Sequence, residues 1–216
     1  MPITHRKLVN HFKKADPVFA VVIKELTLRE LSPRKPEEYF EALVESIVSQ
    51  QLSVKASDTI FKRFAALTPG KKFPTPQQVL KFPTAKICKC GLSKAKVIYI
   101  KDLAKKVLDK TVNIKQMHTW TDAEVIEHLT QVKGIGVWTA EMFLMFSLGR
   151  EDVFSYGDLA LRNAIRDIYK MKAHPTPAQA KKITDAWKPY RTMGSRYLWA
   201  SLRKKQKAAL SADATA

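Results

Sequence analysis

The stretch LTQVKGIGVWTAEM, Leu129–Met142, holds two of the chain's seven glycines one residue apart, between two apolar segments of helical spacing. Glycine has no Cβ, so Gly134 and Gly136 can take positive φ and let a foreign backbone or phosphate come close. The N–H groups that open the following helix, up to Thr139, would then point outward beside the positive end of its dipole, a site for a phosphate oxygen. Ile135 would tuck into the helix pair and fix the turn, and Lys133 is placed for a phosphate contact. An ordinary interhelical turn with a glycine C-cap fits the same residues. A second candidate is Asp158, 24 residues after Gly134, at the head of the helical pattern LALRNAIRDIYK. On position alone it is an N-cap, worth about 1 kcal/mol. Cys88 and Cys90 are the only cysteines. Two thiols cannot complete a four-ligand zinc or iron–sulfur site, so they read as reduced thiols and no metal is expected from side chains.

Positioning these residues falls to helices. The chain has 216 residues, an apolar fraction of 45% and few glycines, and no segment alternates as a strand would; the expectation is an all-α fold. Proline, glycine and cap residues divide it. Asp16-Pro17 opens PVFAVVIKELTLRE. KPEEYFEALVESIVSQQLS follows, with Phe40, Leu43, Ile47 and Val48 at helical spacing, and VKASDTIFKRFAAL starts almost at once. Next come TPQQVLKF behind Thr75, LSKAKVIYIKDLAKKVLDK behind Ser93 and TDAEVIEHLTQ behind Thr121. VWTAEMFLMFSLG, DLALRNAIRDIYKM, TPAQAKKITDAWK and MGSRYLWASLRKKQK complete the series. One compact unit over 1–216 is expected. Within it, two helical lobes, about 1–20 with 113–216 and 21–112, could leave a cleft between them, and the tail 208–216 is expected to fray.

Charge selects the partner. Lys and Arg number 38 against 20 Asp and Glu, a net +18. So basic a chain attracts polyanions, nucleic acid first, although a basic ribosome-associated protein would share the balance. The start MPITHRKLVNHFKKADP has no apolar core of a signal peptide, and no run approaches the roughly 18 apolar residues of a membrane span. No membrane is expected.

Resemblance sharpens these readings. L..VKGIGVWTAEMF is similar to the hairpin of the helix-hairpin-helix DNA glycosylases. FEALVESIVSQQLSVKAS, CGLSKAKVIYIKDLA, the hairpin with EDVFSYGDLALRNAI, and AWKPYRTMGSRYLW resemble, in order, the alkylation-repair branch, the 3-methyladenine DNA glycosylase II family. That resemblance implies a helix-hairpin-helix fold in which the hairpin holds duplex DNA while a damaged base is extruded. Extrusion costs a few kcal/mol, least for damaged or mispaired bases.

It also implies that Asp158 is the catalytic carboxylate. Breaking an N-glycosidic bond builds positive charge on the deoxyribose, which a nearby carboxylate stabilises, or it orients the attacking water. Strand-cutting relatives carry a lysine early in the hairpin's second helix as a Schiff-base nucleophile; here Trp138 stands in that place. The implied reaction is therefore monofunctional and leaves an abasic site. Trp138 and Trp199 match aromatic base-pocket positions, and Tyr156, two residues before Asp158, is added to them; Trp187, Phe143 and Phe146 read as core. An alkylated purine often carries positive charge, which an aromatic face attracts by about 0.5–2 kcal/mol.

The short turn Gln50, Gln51, Leu52 and Ser53 matches the place where the family inserts a minor-groove wedge. Gln51 or Leu52 is favoured, while Ser53 also reads as an N-cap. Met142 stands where the best-known bacterial pattern has a tyrosine, and that pattern's additional N-terminal β-containing domain has no counterpart, so a compact form of the family is the comparison. The family adds a monovalent cation on hairpin backbone carbonyls and no other cofactor. Expected with it are a monomer on double-stranded DNA containing alkylated bases, 3-methyladenine or 7-methylguanine in type, and a nucleoid, cytoplasmic or nuclear location. The competing readings are a non-catalytic DNA-binding module and an oxidised-base glycosylase with lyase activity.

Overall fold

Cap residues set most of the helix starts in the computed structural model, which describes residues 4–70 and 72–213. The side chains of Thr4, Asp16, Ser53, Thr75, Ser93, Thr121, Asp158 and Thr176 each accept a hydrogen bond from a first-turn N–H, satisfying donors that no helix can pair internally. The helices are α1 (His5–Ala15), α2 (Pro17–Lys24), α3 (Tyr39–Ser49), α4 (Val54–Ala65), α5 (Pro76–Lys81), α6 (Thr84–Cys88), α7 (Lys94–Leu108), α8 (Asp122–Thr130), α9 (Val137–Phe146), α10 (Leu159–Ile168), α11 (Pro177–Thr184) and α12 (Arg191–Asp213). No strand occurs among the described residues.

Two compact units divide the chain, one of residues 33–148 and one of residues 1–32 with 149–216. In the first, α3 is the central helix: Leu43, Val44, Ile47 and Val48 are fully buried, and α4, α7 and α9 pack on it. Helices α5 and α6 lie on α7, and α8 with α9 forms the hairpin. The boundary falls after Leu148 rather than near 112 because α9 packs on α3 and α7 side chains hold the hairpin turn.

The second unit gathers α1, α2, α10, α11 and α12 around Phe12, Phe19, Leu161, Ile165, Trp187 and Tyr197. Trp187 stacks on Phe19 with ring centroids 4.3 Å apart, and its indole N–H donates to Asp16 Oδ2 at 2.7 Å. The Tyr169 hydroxyl donates to the same oxygen; burial, then Asp16 itself, push that phenol far above its ordinary value. Asp16 Oδ1 accepts from Phe19 N at 3.0 Å, so one buried carboxylate serves a helix start and two aromatic donors.

The elements depart from expectation in five places. Helix α1 occupies a stretch in which no helix is expected, although Leu8 and Phe12, one turn apart, are both buried. Helix α2 stops at Lys24 instead of running on to Glu30. Helix α6 and a short 3-10 turn at Ile114–Thr119 fill segments expected as connections. Helix α12 continues to Asp213, through an alanine-rich sequence that favours helix; of the tail 208–216, residues 214–216 lie outside those described.

Candidate nucleic-acid interface and active site

The hairpin turn is built from α7 outward. Asp102 Oδ2 accepts from Lys133 N at 2.9 Å and from Lys106 Nζ at 2.7 Å, and Lys106 also donates to Gln131 O at 2.6 Å. Burial raises the Asp102 carboxyl, but the hydrogen bonds from Lys106 and the Lys133 amide outweigh it and hold it below its ordinary value. Gly134 has φ +79°, and a Cβ there would lie 2.2 Å from the Tyr99 ring. Its glycine is therefore required twice, by backbone conformation and by the packed ring. Ile135 is buried at 3% exposure, as expected.

Gly136 differs from the expectation. Its φ of −97° and ψ of 177° are extended, and a Cβ would meet nothing within 4 Å. It is the N-cap of α9 and supplies no side-chain acceptor. Lys133 and Gly136 are exposed, so the open mouth of α9 has a cation beside it. Thr139, expected as a backbone contact to DNA, is instead 5% exposed, with its hydroxyl 3.5 Å from Gln50 Nε2; the third residue of α9 turns back toward α3.

Gln50 reaches the turn as well. Its Nε2 donates to Gly134 O at 2.8 Å, which fastens the end of α3 to the hairpin. Lys96 completes the fastening: its Nζ donates to Val48 O at 2.8 Å and Gln50 O at 2.7 Å, capping the last carbonyls of α3 with a cation. Burial lowers the Lys96 ammonium from its ordinary value. Gln51 has φ +57° and is exposed, Leu52 is 40% exposed, and Ser53 caps α4 through Ala56 N at 3.4 Å. The two side chains favoured as wedge thus project from a turn whose flanks are tied down.

In the other unit, Asp158 is 8% exposed, and its Oδ1 accepts from Leu161 N at 2.9 Å. The carboxylate is held at the helix mouth by the cap itself. The loop leading to it is laced to the start of α12. Arg191 Nε donates to Asp152 Oδ1 at 2.7 Å, its Nη2 to Oδ2 at 2.9 Å and to Asp152 O at 3.0 Å, and its Nη1 to the Tyr156 hydroxyl at 3.2 Å. The Thr192 hydroxyl donates to Arg150 O at 2.6 Å and accepts from Val153 N at 3.0 Å. A bidentate guanidinium is the strongest clamp that a loop of this kind can have.

Tyr156 belongs to this clamp. Its hydroxyl meets Arg191 and Thr184, and its ring lies 4.9 Å from Phe154 and packs against its own unit's core. Trp199 is half-buried against the same core cluster.

Trp138 is 47% exposed. With Met142 and Phe146, one and two turns further on, it forms a stripe along α9. Phe146, expected as core, is 39% exposed; the last two of the stripe line a cavity of about 360 Å³ with Ser46, Ser49, Asp58 and Phe61. Trp187 and Phe143 are core, as expected.

Sequence reasoning does not single out Asp102, Lys96, Tyr99 or Arg191. Asp102 carries a signal of sorts, as one acid within the basic run KDLAKK; the other three look like ordinary helix-surface residues until their partners, distant in sequence, are known.

A helical hairpin with an obligate glycine and a helix-capping aspartate behind it agrees with comparisons to known proteins. The chain belongs to the HhH-GPD superfamily of base excision DNA repair proteins, whose model matches residues 44–189. It is 36% identical over 164 residues to DNA-3-methyladenine glycosylase 1 of Schizosaccharomyces pombe, covering 76% of this chain and 72% of that protein. The DNA-3-methyladenine glycosylase of Saccharomyces cerevisiae is 40% identical over 70% of this chain and 55% of its own. Among solved structures, the fission-yeast 3-methyladenine DNA glycosylase in complex with abasic DNA superposes with a TM-score of 0.79 at 32% identity, over 89% of this chain and 95% of that one.

Proposed function

We infer that the protein is a monofunctional DNA glycosylase of base excision repair that hydrolyses the N-glycosidic bond of alkylated purines and leaves an abasic site. The observation that carries this reading is Asp158: a buried carboxylate, fixed by its own helix, at the end of a clamped loop, in a chain that belongs to a base-excision superfamily. As the glycosidic bond breaks, positive charge develops on the deoxyribose, and a preorganised carboxylate stabilises it without having to reorient. Low exposure strengthens that interaction. Water supplies the oxygen that ends on C1′, and the base leaves with its bonding electrons, a departure that existing positive charge on an alkylated purine makes easier.

The hairpin holds the phosphates: Gly136 leaves room for the backbone, and Lys133 and the first turn of α9 supply positive potential. Gln51 and Leu52 form the wedge. Trp138 supplies an aromatic face for an alkylated purine, with Met142 and Phe146 beside it. The absence of a lysine at the Trp138 position supports hydrolysis over strand cutting. DNA as partner supports a nucleoid or nuclear location. A monovalent cation on the hairpin would be held by backbone carbonyls of the turn; those of Gln131 and Gly134 each accept one hydrogen bond, from Lys106 and Gln50, and keep a second lone pair.

The test is Asp158→Asn, which keeps an N-cap side chain. Release of methylated bases from alkylated duplex DNA is expected to fall by about 10²-fold or more, while DNA affinity and thermal stability change little. Unchanged base release would overturn the assignment. Borohydride treatment with damaged DNA is expected to trap no covalent adduct.

A further inference from the structure

Positive charge is not spread evenly. Residues 54–119 hold fifteen Lys and Arg against three Asp and Glu, so less than a third of the chain carries about two thirds of its net charge. Part of it is structural: Lys96 caps α3, Lys106 binds Asp102, and Lys101 Nζ donates to Phe82 O at 2.8 Å.

Five of the others lie on α6 or on the segments next to it. Gly91 lies against α4, where a Cβ would come within 3.0 Å of Ile60, which brings the Cys88–Gly91 turn beside the end of α4. Lys62 and Arg63 stand in the last turn of α4, and Lys86 in the last turn of α6. Lys86 also sits 4.7 Å over the Phe82 ring, linking the cluster to Lys81. Lys62, Arg63, Lys81, Lys86 and Lys89 are all exposed, and none has a carboxylate partner among the described residues. Paired cations do occur elsewhere: Lys181 and Lys188 pair with Asp185, Lys204 with Glu25, Lys205 with Asp167 and Arg191 with Asp152. Unpaired like charges repel one another and contribute nothing to folding, so a cluster of them is explained by a polyanion that neutralises it.

We propose that the end of α4 together with α6 and its flanking turns is a second DNA-binding surface, which engages duplex phosphates outside those held by the hairpin and wedge. From Ser53 to Lys62 along α4 is about 14 Å at 1.5 Å per residue, so the surface lies beyond the wedge turn. It lengthens the footprint on undamaged DNA and sets the affinity with which the protein samples it. The inference rests on DNA as partner, and not on which base is removed.

The test is the combined variant Lys62→Glu, Arg63→Glu, Lys86→Glu and Lys89→Glu, with the Gln series as a second set that removes charge without reversing it. Binding is read by fluorescence anisotropy over a salt series, on an undamaged 40-base-pair duplex and on a 12-base-pair duplex centred on an abasic-site analogue. The slope of log affinity against log salt on the long duplex is expected to fall by about 2–4, near 0.9 for each phosphate that is no longer neutralised. Affinity for the long duplex drops more than tenfold in the Glu set, and affinity for the short one changes less than threefold. An unchanged slope would overturn the proposal. So would an equal loss on both duplexes, which would place these cations in the hairpin footprint or mark a folding defect. Should the wild-type protein release no methylated base while the slope still falls, the surface stands and the assigned activity is what fails.

Discussion

Replacing each of the two hairpin glycines by alanine separates folding from binding. At Gly134 the substitution forces a Cβ into left-handed backbone at φ +79° and sets it 2.2 Å from the Tyr99 ring. The backbone costs about 1–2 kcal/mol and the overpacking about 1–3 kcal/mol. Alanine's smaller unfolded-state entropy returns about 0.4–1 kcal/mol, which leaves a loss of roughly 1–4 kcal/mol. For a domain of this length, that lowers Tm by about 3–15 °C. At Gly136 the backbone is extended and a Cβ meets nothing within 4 Å; the smaller unfolded-state entropy of alanine and its poorer fitness as an N-cap oppose each other, so Gly136→Ala keeps stability within about 1 kcal/mol of wild type. Its cost appears only when a phosphate arrives.

Urea unfolding and anisotropy on duplex DNA read both quantities for both variants. A double-mutant cycle of Gly134→Ala with Tyr99→Ala isolates the ring, and a coupling of about 1–3 kcal/mol is expected. Wild-type stability for Gly134→Ala would refute the close-packing argument. Undiminished DNA affinity for Gly136→Ala would refute the claim that a foreign backbone comes close there.

Asp102→Ala leaves the Lys133 amide without its acceptor and Lys106 without its partner, at about 1.5–3 kcal/mol by urea denaturation. Because Asp102 sits below its ordinary value in the folded state, its contribution is complete above about pH 5 and is lost as pH falls through the folded value; the gap between wild type and variant should close under acid. Lys96→Met removes the cap on α3 and should lower stability by about 1–2 kcal/mol, with a larger fractional loss of damaged-DNA affinity because the wedge turn is released. Arg191→Met unlaces the loop before Asp158, so base excision under saturating enzyme should fall more than DNA affinity does, and Arg191→Lys should restore only part of it. Trp138→Ala, at an exposed site, should leave Tm within about 2 °C while reducing excision of a cationic purine by about 5–30-fold, the effect of roughly 1–2 kcal/mol of lost stacking.

The sequence by itself determined those features whose causes are local. Helix starts at Asp16, Ser53, Thr75, Ser93, Thr121 and Asp158 were legible because a cap needs only a polar side chain and an N–H three residues on. Helix periodicity identified α3 and α9, and the pair of glycines identified the turn between α8 and α9. The resemblance carried by the four segments added Asp158 as catalyst and Trp138 in place of a lysine. What only the tertiary structure decided is where side chains go once distant segments meet. Gln50 and Thr139, 89 positions apart, meet each other, and Tyr156 is held by Arg191, 35 positions later. Gly134 and Gly136 looked alike, yet one is fixed by a ring from α7 and the other by nothing within the protein. Phe146 looked like core and stands exposed. The physical reason is common to all of them: hydrogen-bond partners and packing neighbours are set by separation in space, and between residues tens of positions apart that separation is written in no local pattern.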